Sequence, residues 1–173
     1  MADETPSAAA PQPGTANVPT LNIVGQYIKD LSFENPRAPA SILGGTGQPK
    51  FNVSINVGFN KQADDVYAIE LNFTAKAERE SGVLFNVELI YGGLFRLKNW
   101  PEAQLSLMLM VECPRILFPF ARQVLANVTQ AGGFPPLLMD PVDFMQIYRQ
   151  NMAQMAAQQP GGAVPPIAPP KAN

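Results

Sequence analysis

Residues 113–144 read CPRILFPFARQVLANVTQAGGFPPLLMDPVDF. From Phe120 the apolar residues Ala121, Val124, Leu125 and Val128 recur at helical spacing, which predicts a helix over 120–131 with one face to pack. Pro114 and Pro119 place a proline-interrupted turn before it, and Gly132-Gly133 supplies its stop. The next six residues, Phe134-Pro135-Pro136-Leu137-Leu138-Met139, are apolar but hold two prolines, so they fit neither a helix interior nor a central strand. They are expected to form an apolar loop. Asp140-Pro141-Val142-Asp143 reads as a helix start, with Asp140 as N-cap, Pro141 at the first helical position and Asp143 near the positive end of the dipole.

Working outward, a last helix is expected from Pro141 to about Gln158, with Phe144, Met145, Tyr148, Met152 and Met155 on one face and Pro160-Gly161 ending it. Residues 159–173, rich in Pro, Ala and Gly, read as a flexible tail. On the other side, Glu102–Glu112 satisfies two patterns. Leu105, Leu107, Leu109 and Val111 alternate as in a strand, while Leu105, Met108, Leu109 and Glu112 form a helical stripe. The lack of β-branched residues before Val111 favours helix.

Upstream the period changes to two. Phe51, Val53, Ile55, Val57 and Phe59 alternate strictly with small or polar residues, the mark of a half-buried antiparallel strand. A strand with Leu21, Ile23, Tyr27, Leu31 and Phe33 precedes it, ended by Asn35-Pro36-Arg37-Ala38-Pro39, and Gly44-Gly45-Thr46-Gly47 connects the two. Residues 60–65 make a turn into a third strand over 66–77. Glu78-Arg79-Glu80-Ser81-Gly82 is a hairpin turn into a fourth over 83–97, where Gly92-Gly93 predicts a bulge or bend. Four strands followed by helices give an α+β chain: a four-stranded antiparallel sheet with C-terminal helices packed on one side.

The 173 residues, 46% of them hydrophobic, suit one domain over 21–158 with a modest core. Residues 1–20 read as a disordered tail; they open on acidic residues without an apolar run, unlike a signal peptide. No stretch is expected to reach the apolar length of a membrane span. Net charge is −2 with the 12 basic residues scattered, which argues against a nucleic-acid face. One cysteine and no histidine rule out a disulfide framework and a Cys/His metal site, and fit a reducing cytoplasm.

Catalytic candidates are weak. Asp64-Asp65 lies in a turn, where adjacent carboxylates cap or face solvent. Cys113 has Glu112 and Arg115 beside it and no imidazole to activate it, so it reads as a structural thiol. The Gly44–Lys50 stretch lacks the spacing of a phosphate loop and precedes no helix. No cofactor is implied, and what remains is binding. An apolar loop marks a subunit contact or a place for another protein's hydrophobic chain, and its leucines and methionine give an adaptable lining.

In CPRILFPFAR and GGFPPLLMDPVDF, in YIKDLSFENPRAP (27–39) and in QADDVYAIEL (62–71), the sequence resembles SecB, the family of bacterial protein-export chaperones. The resemblance spans roughly residues 22–157. It implies a dimer of dimers that holds unfolded secretory precursors without nucleotide or metal and passes them to the SecA motor. The family's acidic contact for SecA falls on Asp30, Glu34 and Glu88, although its usual leucine two residues before Glu88 is Asn86 here. The helix of Phe120, Val124, Leu125 and Val128 is expected at the tetramer interface, and the exposed edge of the first strand at another contact. A client groove is expected between the outer face of the second strand, with Phe51, Val53, Ile55 and Val57, and the loop and last helix carrying Phe134, Leu137, Leu138, Met139, Val142 and Phe144. The family's tryptophan just before that strand is Gly47 here. Two other readings stay open: a SecB-like chaperone of a toxin-antitoxin pair, and a small-molecule carrier with a closed apolar cavity.

Overall fold

The structure is a computed structural model that describes residues 18–43 and 47–158. Most of the two expected tails and three residues of the glycine-rich connection lie outside the described residues. Four strands, β1 (Thr20–Glu34), β2 (Lys50–Ala63), β3 (Val66–Arg79) and β4 (Gly82–Lys98), form one antiparallel sheet in the order β1-β4-β3-β2. Hairpins join β2 to β3 and β3 to β4. The first turns on Asp65, whose positive φ of 59° suits an aspartate, and the second ends on Gly82 at φ 117°. Residues 35–49 carry the chain from one edge of the sheet to the other.

The register fixes the faces. Ile55 pairs with Phe73, Phe73 with Leu89 and Leu89 with Leu31, a row of apolar side chains across all four strands. One residue along, Ser54, Thr74, Glu88 and Ser32 make the corresponding polar row on the other face. Among the described residues, helices cover only the apolar face, where Ile69, Leu71, Phe73, Leu89 and Phe95 are fully buried.

The expected distortion at Gly92-Gly93 is absent: both glycines stay in the ladder, the register shift of β4 against β3 falls at Leu84, opposite Ala77 and Glu78, and those of β1 lie between Ile23 and Gly25 and between Ile28 and Asp30. The glycines make room instead of a bend. A Cβ on Gly92 would lie 2.5 Å from the Tyr27 ring, and one on Gly93 2.6 Å from the Leu117 side chain.

The expected turn at Pro114 and Pro119 is also absent. α1 (Glu102–Leu107), a π-wound segment (Met108–Glu112) and α2 (Cys113–Ala131) run as one helix of 30 residues. Pro114 has no N–H, and its ring crowds the carbonyl four residues back. The π turn directly before it relieves that crowding, with the Cys113 N–H bonding to the Met108 carbonyl five residues back. Pro119 is accommodated inside α2. Fused in this way, the helix is long and apolar enough to cross a membrane by length and composition alone, contrary to the sequence expectation. Its stripe of Leu117, Ala121 and Leu125 is nevertheless buried on the sheet, as in the core helix of a folded domain.

The last helix, α3 (Phe144–Gln158), starts three residues later than expected. Asp143, not Asp140, caps it: its Oδ1 accepts the Gln146 N–H at 3.1 Å and its carbonyl accepts the Ile147 N–H at 3.2 Å. Pro141 biases Asp140 toward extended backbone, so the loop continues to 143.

Candidate binding groove

Opposite Phe51 and Val53, strand β3 carries only Ala77 and Ala75. Small side chains there keep the sheet low beneath its β2 edge. Over that low ground hangs the loop 134–143, whose Leu137 and Met139 turn inward and whose Leu138 is 68% exposed. Between them runs an open groove of about 630 Å³. Phe51, Val53 and Ile55 line its strand side, and Phe134, Leu137, Leu138 and Met139 its loop side. Phe51 and Val53 remain 53% and 38% exposed, so a large part of this apolar lining faces solvent.

The strand side is not the outer face of the sheet, as the sequence reading had it. Phe51, Val53, Ile55 and Val57 pair with Ala77, Ala75, Phe73 and Leu71, on the same face as the core. Phe51 and Val53 stay exposed on this edge strand, while Ile55 and Val57 are half-buried against the core. Val57, Val142 and Phe144 do not line the groove. Phe144 is fully buried, its ring edge-on to Phe118 at 5.9 Å, so its helical position serves the core.

An aromatic cluster closes one end. Phe85 lies 5.0 Å from Phe134, 5.7 Å from Phe33 and 6.4 Å from Phe51 between ring centroids. Phe85, Leu84 and Arg79 line the groove and were missed from sequence, because Leu84 and Phe85 sit within an apolar run that reads as ordinary core. Arg79 Nε is a buried side-chain nitrogen without a hydrogen-bond partner among the described residues.

The three acidic positions share the helix-free face. Asp30 pairs with Ile90, Glu34 with Asn86, and Glu88 with Ser32. Glu34 and Glu88 line a shallow polar trough with Ser54, Thr74, Lys76 and Asn86, while Asp30 lies outside it along β1. Lys76 is paired with Glu78 at 2.9 Å, and among the described residues Asp30, Glu34 and Glu88 have no ion-pair partner. Their negative charge is therefore presented to solvent.

The expected subunit-contact residues divide. Phe120 is 50% exposed and Val124 and Val128 are half-buried, but Leu125 is fully buried. Leu125 continues the i, i+4, i+8 stripe of Leu117 and Ala121 against the sheet and is not available for a contact within an assembly. On β1, Ile23, Val24, Ile28 and Leu31 remain exposed along a sheet edge that no strand among the described residues pairs. Cys113 is fully buried; burial, and secondarily the charge of Glu112, pushes its thiol up to about 12, so it stays protonated and unreactive.

A sheet covered on one face, with an open apolar groove on that side and exposed acidic side chains on the other, defines an α+β protein with two chemically distinct surfaces. The chain belongs to the SecB family: the model of that family, described as preprotein translocase subunit SecB, matches residues 14–155. The protein-export protein SecB of Bradyrhizobium sp. strain BTAi1 is 54% identical over 147 residues, covering 85% of this chain and 91% of that one. That of Rhodopseudomonas palustris strain BisB5 is 51% identical over 146 residues, covering 84% and 92%. Among solved structures, a Mycobacterium tuberculosis SecB-like chaperone in complex with an antitoxin peptide shares the fold, with a TM-score of 0.58 at 12% identity over 70% of this chain and 90% of that one.

Proposed function

We propose that this protein holds unfolded precursor proteins in the groove between β2 and the loop 134–143, without nucleotide or metal, and delivers them to the SecA motor through Asp30, Glu34 and Glu88. As a member of the SecB family it is a chaperone of protein export and not an enzyme. The observation that carries the groove assignment is its exposed apolar lining, with Leu138 at 68% and Phe51 at 53% exposure. Such a surface binds extended apolar and aromatic segments and leaves compact proteins alone. Binding only the unfolded chain shifts its folding equilibrium by mass action.

A groove of about 630 Å³ takes only a few side chains, so tight holding needs several grooves on one particle. A homotetramer, a dimer of dimers, supplies them. The exposed β1 edge and the Phe120, Val124 and Val128 face of α2 support that assembly. The protein works in the cytoplasm, where precursors wait before export. An open groove, unlike a closed cavity, speaks against a small-molecule carrier.

One experiment tests both surfaces. Binding of an unfolded precursor and of SecA is measured for Asp30→Ala with Glu88→Ala and, separately, for Phe51→Ala. The acidic double variant should lose SecA while keeping the client, and the groove variant should do the reverse. Because charge steers the motor contact, its affinity should also fall steeply with salt. If both activities fall together in either variant, or neither falls, the assignment of that surface is wrong.

A further inference from the structure

The loop 134–143 contains three prolines and forms neither helix nor strand. Two of its backbone amides find acceptors among the described residues, and both acceptors belong to Thr129. The Phe134 N–H donates to the Thr129 carbonyl at 3.1 Å, and the Leu137 N–H donates to Thr129 Oγ1 at 2.9 Å. The hydroxyl in turn donates into α2, with the Leu125 carbonyl at 2.9 Å and the Ala126 carbonyl at 3.0 Å.

Thr129 is fully buried in the last turns of α2. The hydroxyl proton is already used within the helix, by the carbonyls three and four residues back, as buried threonines commonly do; that leaves the hydroxyl oxygen free to accept from a donor outside the helix. That donor is Leu137, whose amide would otherwise be a buried orphan. Along an extended segment successive side chains alternate, so holding the Leu137 amide sends Leu137 inward and Leu138 out over the groove.

We infer that Thr129 is the positioning residue of the groove: its hydroxyl fixes the distance of the wall from the strand floor and so sets how long a bound chain is held. This rests on the groove being the client site. Without the hydroxyl the wall samples other positions, and affinity falls by the fraction of time spent in the competent one.

Thr129→Val keeps the volume and removes the hydrogen bonds, whereas Thr129→Ser keeps the hydroxyl. The probe is a reduced, alkylated, fluorescent unfolded polypeptide, released from the assembled protein, alongside hydrogen exchange at the Leu137 amide. The Val variant should release the probe about three- to tenfold faster with the Leu137 amide deprotected, and the Ser variant should resemble the parent. A Val variant that melts earlier but, per folded molecule, releases the probe at the parental rate overturns the inference, since a merely structural threonine would behave so. Should the Val variant not fold, exchange in the parent decides: a Leu137 amide exchanging as fast as that of Leu138 refutes the latch, and slow exchange at Leu137 alone supports it. If Leu138→Ala weakens binding and Thr129→Val does not, only the role of Thr129 falls. If neither does, the groove itself is misplaced.

Discussion

Strands β3 and β2 lie side by side and carry the same alternating pattern on the same face, yet they meet different fates. In β3, Ile69, Leu71, Phe73, Ala75 and Ala77 are all buried, while in β2 Phe51 and Val53 are 53% and 38% exposed. Alternation states which face a residue takes; it does not state whether anything covers that face. The cover here is α2, which packs on β4 and β3, while β2 meets the π-wound segment before it and leaves Phe51 and Val53 exposed. The inner strands therefore hold the molecule together, and Phe51 and Val53 of the edge strand remain open to an occupant of the proposed groove.

The sharpest way to break that division is at its centre. Phe73 is fully buried beside Phe118, with ring centroids 6.3 Å apart, so Phe73→Ala should lower unfolding free energy by about 3–5 kcal/mol in urea melts. A loss below about 1 kcal/mol would mean that the core does not sit where burial puts it. Away from the sheet, Phe120 is half-exposed on the far side of α2. Phe120→Glu should leave the protomer folded but reduce the proposed tetramer to dimers by light scattering, and an unchanged mass would remove this face from the interface.

A titration probes the same core more gently. The Cys113 thiol is pushed from 9.0 up to about 12, so between those values the unfolded chain releases a proton that the folded one keeps. Stability from this group is thus fully present below pH 9 and declines as pH rises toward 12. Denaturation midpoints should fall less steeply over that window in Cys113→Ala than in the parent. An identical slope would show that the thiol is not desolvated in the folded state.

Much of this was legible in the sequence. The two-residue period of 51–59 and the polar turns at 64–65 and 80–81 carry the strands, and the prolines of 134–141 mark a loop that cannot join the sheet. Local rules failed where tertiary packing overrode them. Pro114 and Pro119 look like breaks, but the π turn and the packing of α2 on the sheet keep the helix continuous. Gly92 and Gly93 look like a bend, but they answer to Tyr27 and Leu117, residues distant in sequence. The loop half of the groove was readable because apolar residues beside prolines are unusual. Phe85 was not, because a phenylalanine on an inner strand reads as core until Phe134 and Phe51 are seen around it.

The smallest expected effect on stability tests the division within the loop itself. Leu137 and Leu138 are adjacent and chemically identical, and at 9% and 68% exposure they point opposite ways. Leu137→Ala removes a packed side chain and should cost about 2 kcal/mol or more, while Leu138→Ala should stay within about 0.5 kcal/mol. Binding of unfolded chains should show the opposite order per folded molecule, because Leu138 offers the larger free apolar surface to an occupant. Urea melts and client titrations on the two variants give four numbers. A Leu138→Ala variant that loses stability as Leu137→Ala does, with client affinity unaltered, would return the loop to the core and leave the exposed edge of β2 without a partner wall.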